Sequence, residues 1–248
     1  MRPNILRTIL FNLRAFGIRK AMKMPVYVYG PIKVYNMGAI DIKCPIKRGM
    51  IKLGMNYDNT ALPYTIWNNM GTIEVGGPVW IHHGCRLQNR GVVTFEGGDI
   101  ISHECTMDIY ESLRLGKHVS IGYRSEMTDS DVHYLVDIES RRINKNTKPI
   151  VIGSNNWFGS HTFVKKGTVT PDFTIVASPN AVLLKNYVGE IEPYSILAGS
   201  PARVIGKGKR RLFNYQKETL IREKINRDGF IILPEGTNID EFCKLKEL

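Results

Sequence analysis

The chain has 248 residues, 43% of them hydrophobic, and 34 Lys and Arg against 23 Asp and Glu give it a formal net charge of +11. That length suits one elongated domain with appendages or two compact ones, and the charge points to anionic partners such as a phosphorylated cofactor, an acidic glycan or a lipid surface. No run of about 18 apolar residues occurs, which excludes a membrane-spanning helix, and the dispersed basic residues accompany no nucleic-acid motif, which sets nucleic acid aside as a partner.

Residues 4–19 read as an amphipathic helix. Ile5, Ile9, Leu13 and Phe16 form one stripe with Leu6 and Leu10 beside it, flanked by Arg2, Arg7, Arg14, Arg19, Lys20 and Lys23. Two roles suit such a segment. The commoner is to cover the open end of the domain behind it or to pack on a neighbouring subunit; the other is to lie on an anionic bilayer, a peripheral contact with the inner membrane surface.

From residue 30 onward, apolar-x-apolar pairs recur: Ile32/Val34 and Ile40/Ile42, then Ile51/Leu53, Ile73/Val75, Val93/Phe95 and Leu113/Leu115, the second members of the last four lying 22, 20 and 20 apart. Between them the pattern continues as Val75, Ile81, Leu87, then Phe95, Ile101, Met107, then Leu115, Ile121, Met127. Cys85 and Cys105 each come four residues after a column isoleucine, and read as stacked core residues. With Cys44 and Cys243 they form no CxxC and no secretory leader opens the chain, so reduced thiols in a cytoplasmic protein are expected. His83 and His103 are 20 apart as well; with no third ligand evident they read as a solvent-facing pair, and no metal is expected.

The phase breaks after Met127 and resumes 25 residues later at Ile152. Most of the excess is the polar stretch 134–149, and a long excursion from a regular scaffold is where function tends to sit. From 150 to 202 the repeat is at its cleanest, with Ile152, Phe158, Val164, Thr170, Val176 and Val182 in one column and Asn156, Thr162, Thr168, Thr174 and Asn180 at small or polar positions between. A period of six fits neither a helix nor a two-residue alternation. It fits a coil of three short flat sides, about 18 residues per turn, in which Gly153 and Gly159 suit corners with unusual backbone angles. After Ala202, residues 207–211 read as a basic linker, 212–226 as a helix closed by Asp228 and Gly229, and Asn238 or Asp240 as the cap of a last helix, these segments covering the edge of the final coil.

The segments IGSNNWFGSHTFVKKGT and EPYSILAGSPARVI resemble signature blocks of the hexapeptide-repeat acyltransferases, most closely those that O-acetylate sugars and polysaccharides. The resemblance implies a left-handed parallel β-helix, an all-β solenoid with short terminal helices, assembled as a homotrimer that moves an acetyl group from acetyl-CoA. The expected organisation is an N-terminal helix over 1–24, the β-helix over 25–206 with its loop at 133–149, and a helical extension over 207–248. The hand rests on the resemblance alone, since ordinary crossover rules favour the opposite one.

Acetyl transfer to a hydroxyl needs a base, oxyanion donors and a groove for the thioester. His133 stands where the repeat breaks and resembles the family's histidine; an unperturbed imidazole, with a pKa of about 6.5, is mostly neutral at cytoplasmic pH. Asp129 or Asp131 is a candidate to orient its second nitrogen, or else a loop carboxylate bonding its own backbone. The resemblance also implies an acceptor contact for Glu104, although Arg124 lies 20 residues on and an ion pair between coils would explain both. It puts Trp157 near the thioester arm and the acceptor, Ser160, Ala177 and Ser178 along the pantetheine, and Lys185 and Arg203 near the phosphates. The sequence departs from the family pattern at Asn156, Phe158, Thr170, Ser178 and Pro179. The expected function is O-acetylation of a sugar or glycan in surface-polysaccharide assembly, with N-acetylation of an amino sugar or a non-catalytic scaffold as alternatives.

Overall fold

Each apolar-x-apolar triplet forms a short strand whose apolar side chains turn inward, and the strands stack on three faces of nine, seven and six, all in parallel except the last of the nine. The computed structural model describes residues 2–56, 63–177 and 179–244. The first face stacks Val28, Leu53, Ile81, Ile101, Ile121, Phe158, Val176 and Leu197 in one inward column. The second stacks Val34, Trp67, Leu87, Met107, Met127, Val164 and Leu183. The third stacks Ile42, Val75, Phe95, Leu115, Ile152 and Thr170. The chain visits the faces in that order and climbs one rung per circuit, which is a three-sided parallel β-helix with the core along its axis.

Two features of the repeat differ from the expectation. Leu53 lies on the first face under Ile81, so its 22-residue spacing to Val75 is no coil repeat; Val75 stacks instead on Ile42. At the other end, Leu183 takes the inward place expected of Val182, and Ala181 is buried where Asn180 is exposed. Proline explains the slip. The third residue after the column position turns through left-handed φ at Glu104 (58°), Arg124 (52°), Asn155 (58°), His161 (56°) and Phe173 (61°). In the next turn that place falls on Pro179, whose ring forbids positive φ. The left-handed residue moves to Asn180 (61°) and the turn gains a residue.

Gly153 and Gly159 also serve differently from expectation, since neither has positive φ. Gly153 is required by close approach: a Cβ there would lie 2.5 Å from the Pro171 carbonyl carbon. Cys85 and Cys105 are buried free thiols, and their Sγ atoms donate to the Ser102 and Gly122 carbonyls at 2.9 and 3.0 Å. His83 is buried rather than solvent-facing, stacked on His103 at 5.0 Å, with His82 at 6.0 Å from the same ring.

The N-terminal segment breaks into helices α1 (Ile5–Ala15) and α2 (Ile18–Ala21). Of the roles open to the segment, the one in which its apolar stripe covers the end of the domain does not hold. Ile5, Leu6, Ile9, Leu10 and Leu13 face outward, while Phe16, read as part of the same stripe, is buried just beyond the helix, and α1 buries Thr8, Phe11 and Asn12. The unpaired edge of the first strand decides this, because its backbone groups need partners. Asn12 Nδ2 donates to the Val26 carbonyl while Asn12 Oδ1 accepts the Val26 N–H, at 2.8 and 3.2 Å, and Thr8 Oγ1 accepts the Val28 N–H at 3.0 Å. Phe11 packs edge-on against Trp67 at 5.3 Å.

At the far end, strand Arg203–Lys207 runs antiparallel along Ser195–Ala198 and closes the first face. It is this strand, rather than the terminal helices, that covers the last edge. The extension carries α3 (Tyr215–Asp228), capped by Asn214 and by left-handed Gly229, and α4 (Ile239–Cys243), capped by Asn238. It doubles back across the first face, where Arg211 Nη1 donates to Ser120 Oγ at 2.7 Å and Phe213 is buried. Among the described residues, no helix is long and apolar enough to cross a membrane.

Candidate functional site

In the regular coils from Trp67 to Val176, the corner between the second and third faces is where the coil changes length. Phe95 follows Leu87, and Leu115 follows Met107, by eight residues; Ile152 follows Met127 by 25; Thr170 follows Val164 by six. The excursion is therefore an expansion of a corner that is already the longest in the coil. It leaves as an irregular hairpin, with antiparallel bridges at Ser130–Thr147 and Val136–Ile143. Its feet are tied together and to the rung below: Lys148 N–H donates to the Asp129 carbonyl at 2.9 Å, and Glu111 accepts from Thr147 at 2.7 Å and pairs with Lys145 at 2.9 Å. The hydrogen bond and charge of Lys145, with Thr147, hold the Glu111 carboxyl below the usual range. Lys166, from the coil above, pairs with Asp131 and donates to the Asn146 carbonyl at 3.3 Å.

His133 stands on the outgoing limb. Its N–H donates to the Asp131 carbonyl at 2.7 Å, and the residue before it, Val132, has φ of 64°. A β-branched residue in the left-handed region is strained, and such strain concentrates at functional sites. The imidazole is exposed and lines a cavity of about 390 Å³ with Asp131, Asp137, Asn144, Lys145 and Lys166.

A second cavity, about 460 Å³, runs under the outgoing limb along the outer side of the second face. Its floor is made by outward side chains stacked rung upon rung: Arg86, Thr106 and Glu126 in one row, and Gln88, Asp108, Thr128 and Lys165 in the next. Asp131 borders both cavities. Arg90 pairs with Asp108 at 3.0 Å and lies over the Tyr110 ring at 4.4 Å, which closes the floor toward the excursion. This polar floor was not singled out in the sequence. The signal for it was present, because positions 86, 88, 106, 108, 126 and 128 are outward strand positions at the coil period and all are polar.

Asp129 does not orient the imidazole. It is fully buried, and its carboxylate accepts the backbone N–H groups of Tyr110, Glu111 and Ser112, each at 2.7 Å. Asn69 and Asn89 act comparably on the lower coils, accepting the Gly71 and Gly91 N–H groups. The next residue in that column is Ile109, which has no acceptor to offer, and Asp129 reaches down from above to satisfy the corner. The Asp131 carboxylate is engaged by Lys166, and among the described residues no hydrogen bond joins that carboxylate to the His133 imidazole; the two residues meet only through the backbone.

Glu104 pairs with Arg124 at 2.8 Å, with Arg124 also 4.8 Å from the Tyr123 ring. Both residues are on the corner between the first and second faces, where His83, His103, Tyr123 and His161 form a ladder of rings at 5.0–5.5 Å. The polar floor thus lies between two corners, one carrying the Glu104–Arg124 pair and the other carrying His133.

The remaining sequence-predicted residues are elsewhere. Trp157 faces outward on the first face, with the Arg211 guanidinium over its ring at 4.9 Å and Arg211 also 5.0 Å from Phe213. Ala177 is on that face as well, its N–H bonded to the Leu197 carbonyl at 2.8 Å. Ser160 is at the turn that comes after Trp157, Lys185 pairs with Glu190, and Arg203 is exposed on the closing strand. Ser178 lies outside the described residues. Trp157 is on the first face, whereas His133 is at the corner between the second and third.

No family model matches the chain, and no curated protein does. Among solved structures it is similar to the polysialic acid O-acetyltransferase OatWY, at 22% identity over 79% of this chain and 83% of that one, with a TM-score of 0.37. It is similar to AntD, an N-acyltransferase from Bacillus cereus, at 15% identity over 79% and 87%, with a TM-score of 0.46. A hexapeptide transferase family protein from Anaplasma phagocytophilum is 14% identical over 78% and 89%, with a TM-score of 0.47. Likenesses this distant say nothing of the chemistry of this chain.

Proposed function

We propose that the chain is an acetyl-CoA-dependent O-acetyltransferase of a sugar hydroxyl in surface-polysaccharide assembly, with His133 as general base. The observation that carries this is the placement of one exposed imidazole, just after strained Val132, on a pinned arm beside a polar trough. Carboxylate, amide, hydroxyl and cationic groups along Gln88, Asp108, Thr128 and Lys165 suit the hydroxyls of a glycan. The resemblance of the 152–168 and 192–205 segments to acyltransferase blocks supplies the donor, acetyl-CoA.

In the reaction, neutral His133 takes the proton of the acceptor hydroxyl as its oxygen attacks the thioester carbonyl. The tetrahedral oxyanion collapses, the carbon–sulfur bond breaks, and the imidazolium returns its proton to the departing thiolate. No acyl-enzyme is required, in keeping with the burial of Cys85 and Cys105 in the core.

The donor is held by a neighbouring subunit in this reading. Within the chain, Trp157 and Arg203 are on the first face and Ser160 is in the turn after Trp157, whereas His133 is at the corner between the second and third faces; a homotrimer would bring the arm of one subunit to the later coils of the next. Tyr134, Leu135 and Ile138 on the arm are exposed apolar groups suited to that contact. Glu104 in this reading contacts the acceptor from the opposite corner of the trough, with Arg124 setting its orientation.

The test is turnover of labelled acetyl-CoA with a panel of glycans and amino sugars by wild type and His133→Ala. The expected loss is about 10²- to 10⁴-fold, with the fold intact by circular dichroism. Full activity in the variant would remove His133 from the mechanism, and acetylation of amino sugars alone would overturn the O-acetyl reading.

A further inference from the structure

The outward face of α1 and α2 is a feature that the acetyl-transfer reading does not use. On α1, at 100° per residue, Thr8, Phe11, Asn12 and Ala15 fall in one arc turned to the solenoid. Ile5, Leu6, Ile9, Leu10 and Leu13 fill a second, outward arc, and Arg7 and Arg14 lie together between its far side and Phe11. Ile18 and Met22 extend the apolar strip, whose exposures run from 38% at Ile9 to 78% at Met22. The inward arc is fully committed to the edge of the first strand, so the helix cannot roll to hide the strip without orphaning the backbone groups that Thr8 and Asn12 satisfy.

Charge identifies the occupant. Residues 1–40 contain seven Lys and Arg and no Asp or Glu. A second copy of this surface would bring like charge against like, whereas a sheet of anionic headgroups neutralises it. Between α1 and the first coil, Arg7, Arg14, Leu10, Ile32 and Met37 line a concavity of about 160 Å³, where guanidinium groups border apolar side chains as they would around an acidic headgroup and its first carbons.

We infer that the N-terminal helices form a docking surface for an anionic lipid bilayer, with the apolar strip in the acyl boundary and the arginines at the phosphates. The solenoid then stands with its first coil toward the membrane. This inference does not depend on the acetyl-transfer reading.

The full chain is tested by co-sedimentation with phosphatidylglycerol vesicles and with phosphatidylcholine vesicles, alongside Leu6→Glu/Leu10→Glu and Arg7→Glu/Arg14→Glu. Circular dichroism checks the fold of each variant and light scattering its mass. Binding to phosphatidylglycerol, weakened at least about tenfold in either variant and by high salt, is expected. Failure of the wild type to bind phosphatidylglycerol overturns the inference, as does equal binding by folded variants. A change of oligomeric mass in the leucine variant without vesicle binding by the wild type overturns it in favour of a subunit contact.

Discussion

Replacing Asp129 by asparagine separates a structural carboxylate from a catalytic one. The carboxylate accepts three backbone N–H groups at 2.7 Å, Tyr110 at Oδ1 and both Glu111 and Ser112 at Oδ2, with no solvent access. Hydrogen bonds to a charged group contribute about 1.5–3 kcal/mol each, and neutral ones about half that. The amide can keep two of the three as neutral bonds while its NH₂ faces the third donor, a loss of about 4 kcal/mol. Relief of the desolvation cost of the charge trims the net to about 3 kcal/mol. Because stacked coils open locally, the direct assay is amide hydrogen exchange at Tyr110, Glu111 and Ser112. At 1.36 kcal/mol per decade, exchange there should accelerate about a hundredfold, while the coil at Ile81 and Leu87 keeps its protection. Unchanged exchange at those amides together with lost turnover would refute the reasoning and return Asp129 to the imidazole.

Deletion of Pro179 should leave Leu183 inward and restore a six-residue turn with Asn180 as its left-handed residue, so the thermal midpoint should hold or rise; a large fall would show that the extra residue is needed. Gly91→Ala should destabilise by about 2–3 kcal/mol, because its Cβ would lie 2.1 Å from the Glu111 carbonyl oxygen, whereas Gly17→Ala, with nothing within 4 Å, should be near neutral in urea unfolding. Burial, with His103 and His83 adding like charge, pushes the His82 imidazole down to about 4. A histidine held neutral by folding gives its full stability above its ordinary pKa of about 6.5 and loses it as pH falls toward the folded value. Urea midpoints between pH 7 and pH 5 should therefore fall more steeply for wild type than for His82→Leu, and parallel slopes would exclude His82 as the source.

The solenoid was legible because its inward columns repeat at fixed spacing wherever the corners keep their length, as from Val75 to Met127. It was less legible where a corner changes, at the first coils and at Pro179, since one added residue moves a side chain from the core to the surface. Which side of α1 meets the solenoid was not legible, because hydrophobic periodicity cannot show that Thr8 and Asn12 are needed at a bare strand edge. His133 stood out at a break in phase. The floor built by Arg86, Gln88, Asp108 and Thr128 did not, because ordinary polar residues 20 apart gain meaning only when stacked, and the pairing of Arg211 with Ser120 spans 91 residues with no local trace.

The hairpin that carries His133 begins and ends on one rung: Met127 lies beneath Val164, Ile152 lies above Leu115, and Asp129 and Lys148 clasp its base. Nothing in the winding of the coils measures how many residues lie between those feet. The tower and the hairpin are therefore separable, and an insert of another length, grafted between Asp129 and Lys148, would leave the storeys above and below in register.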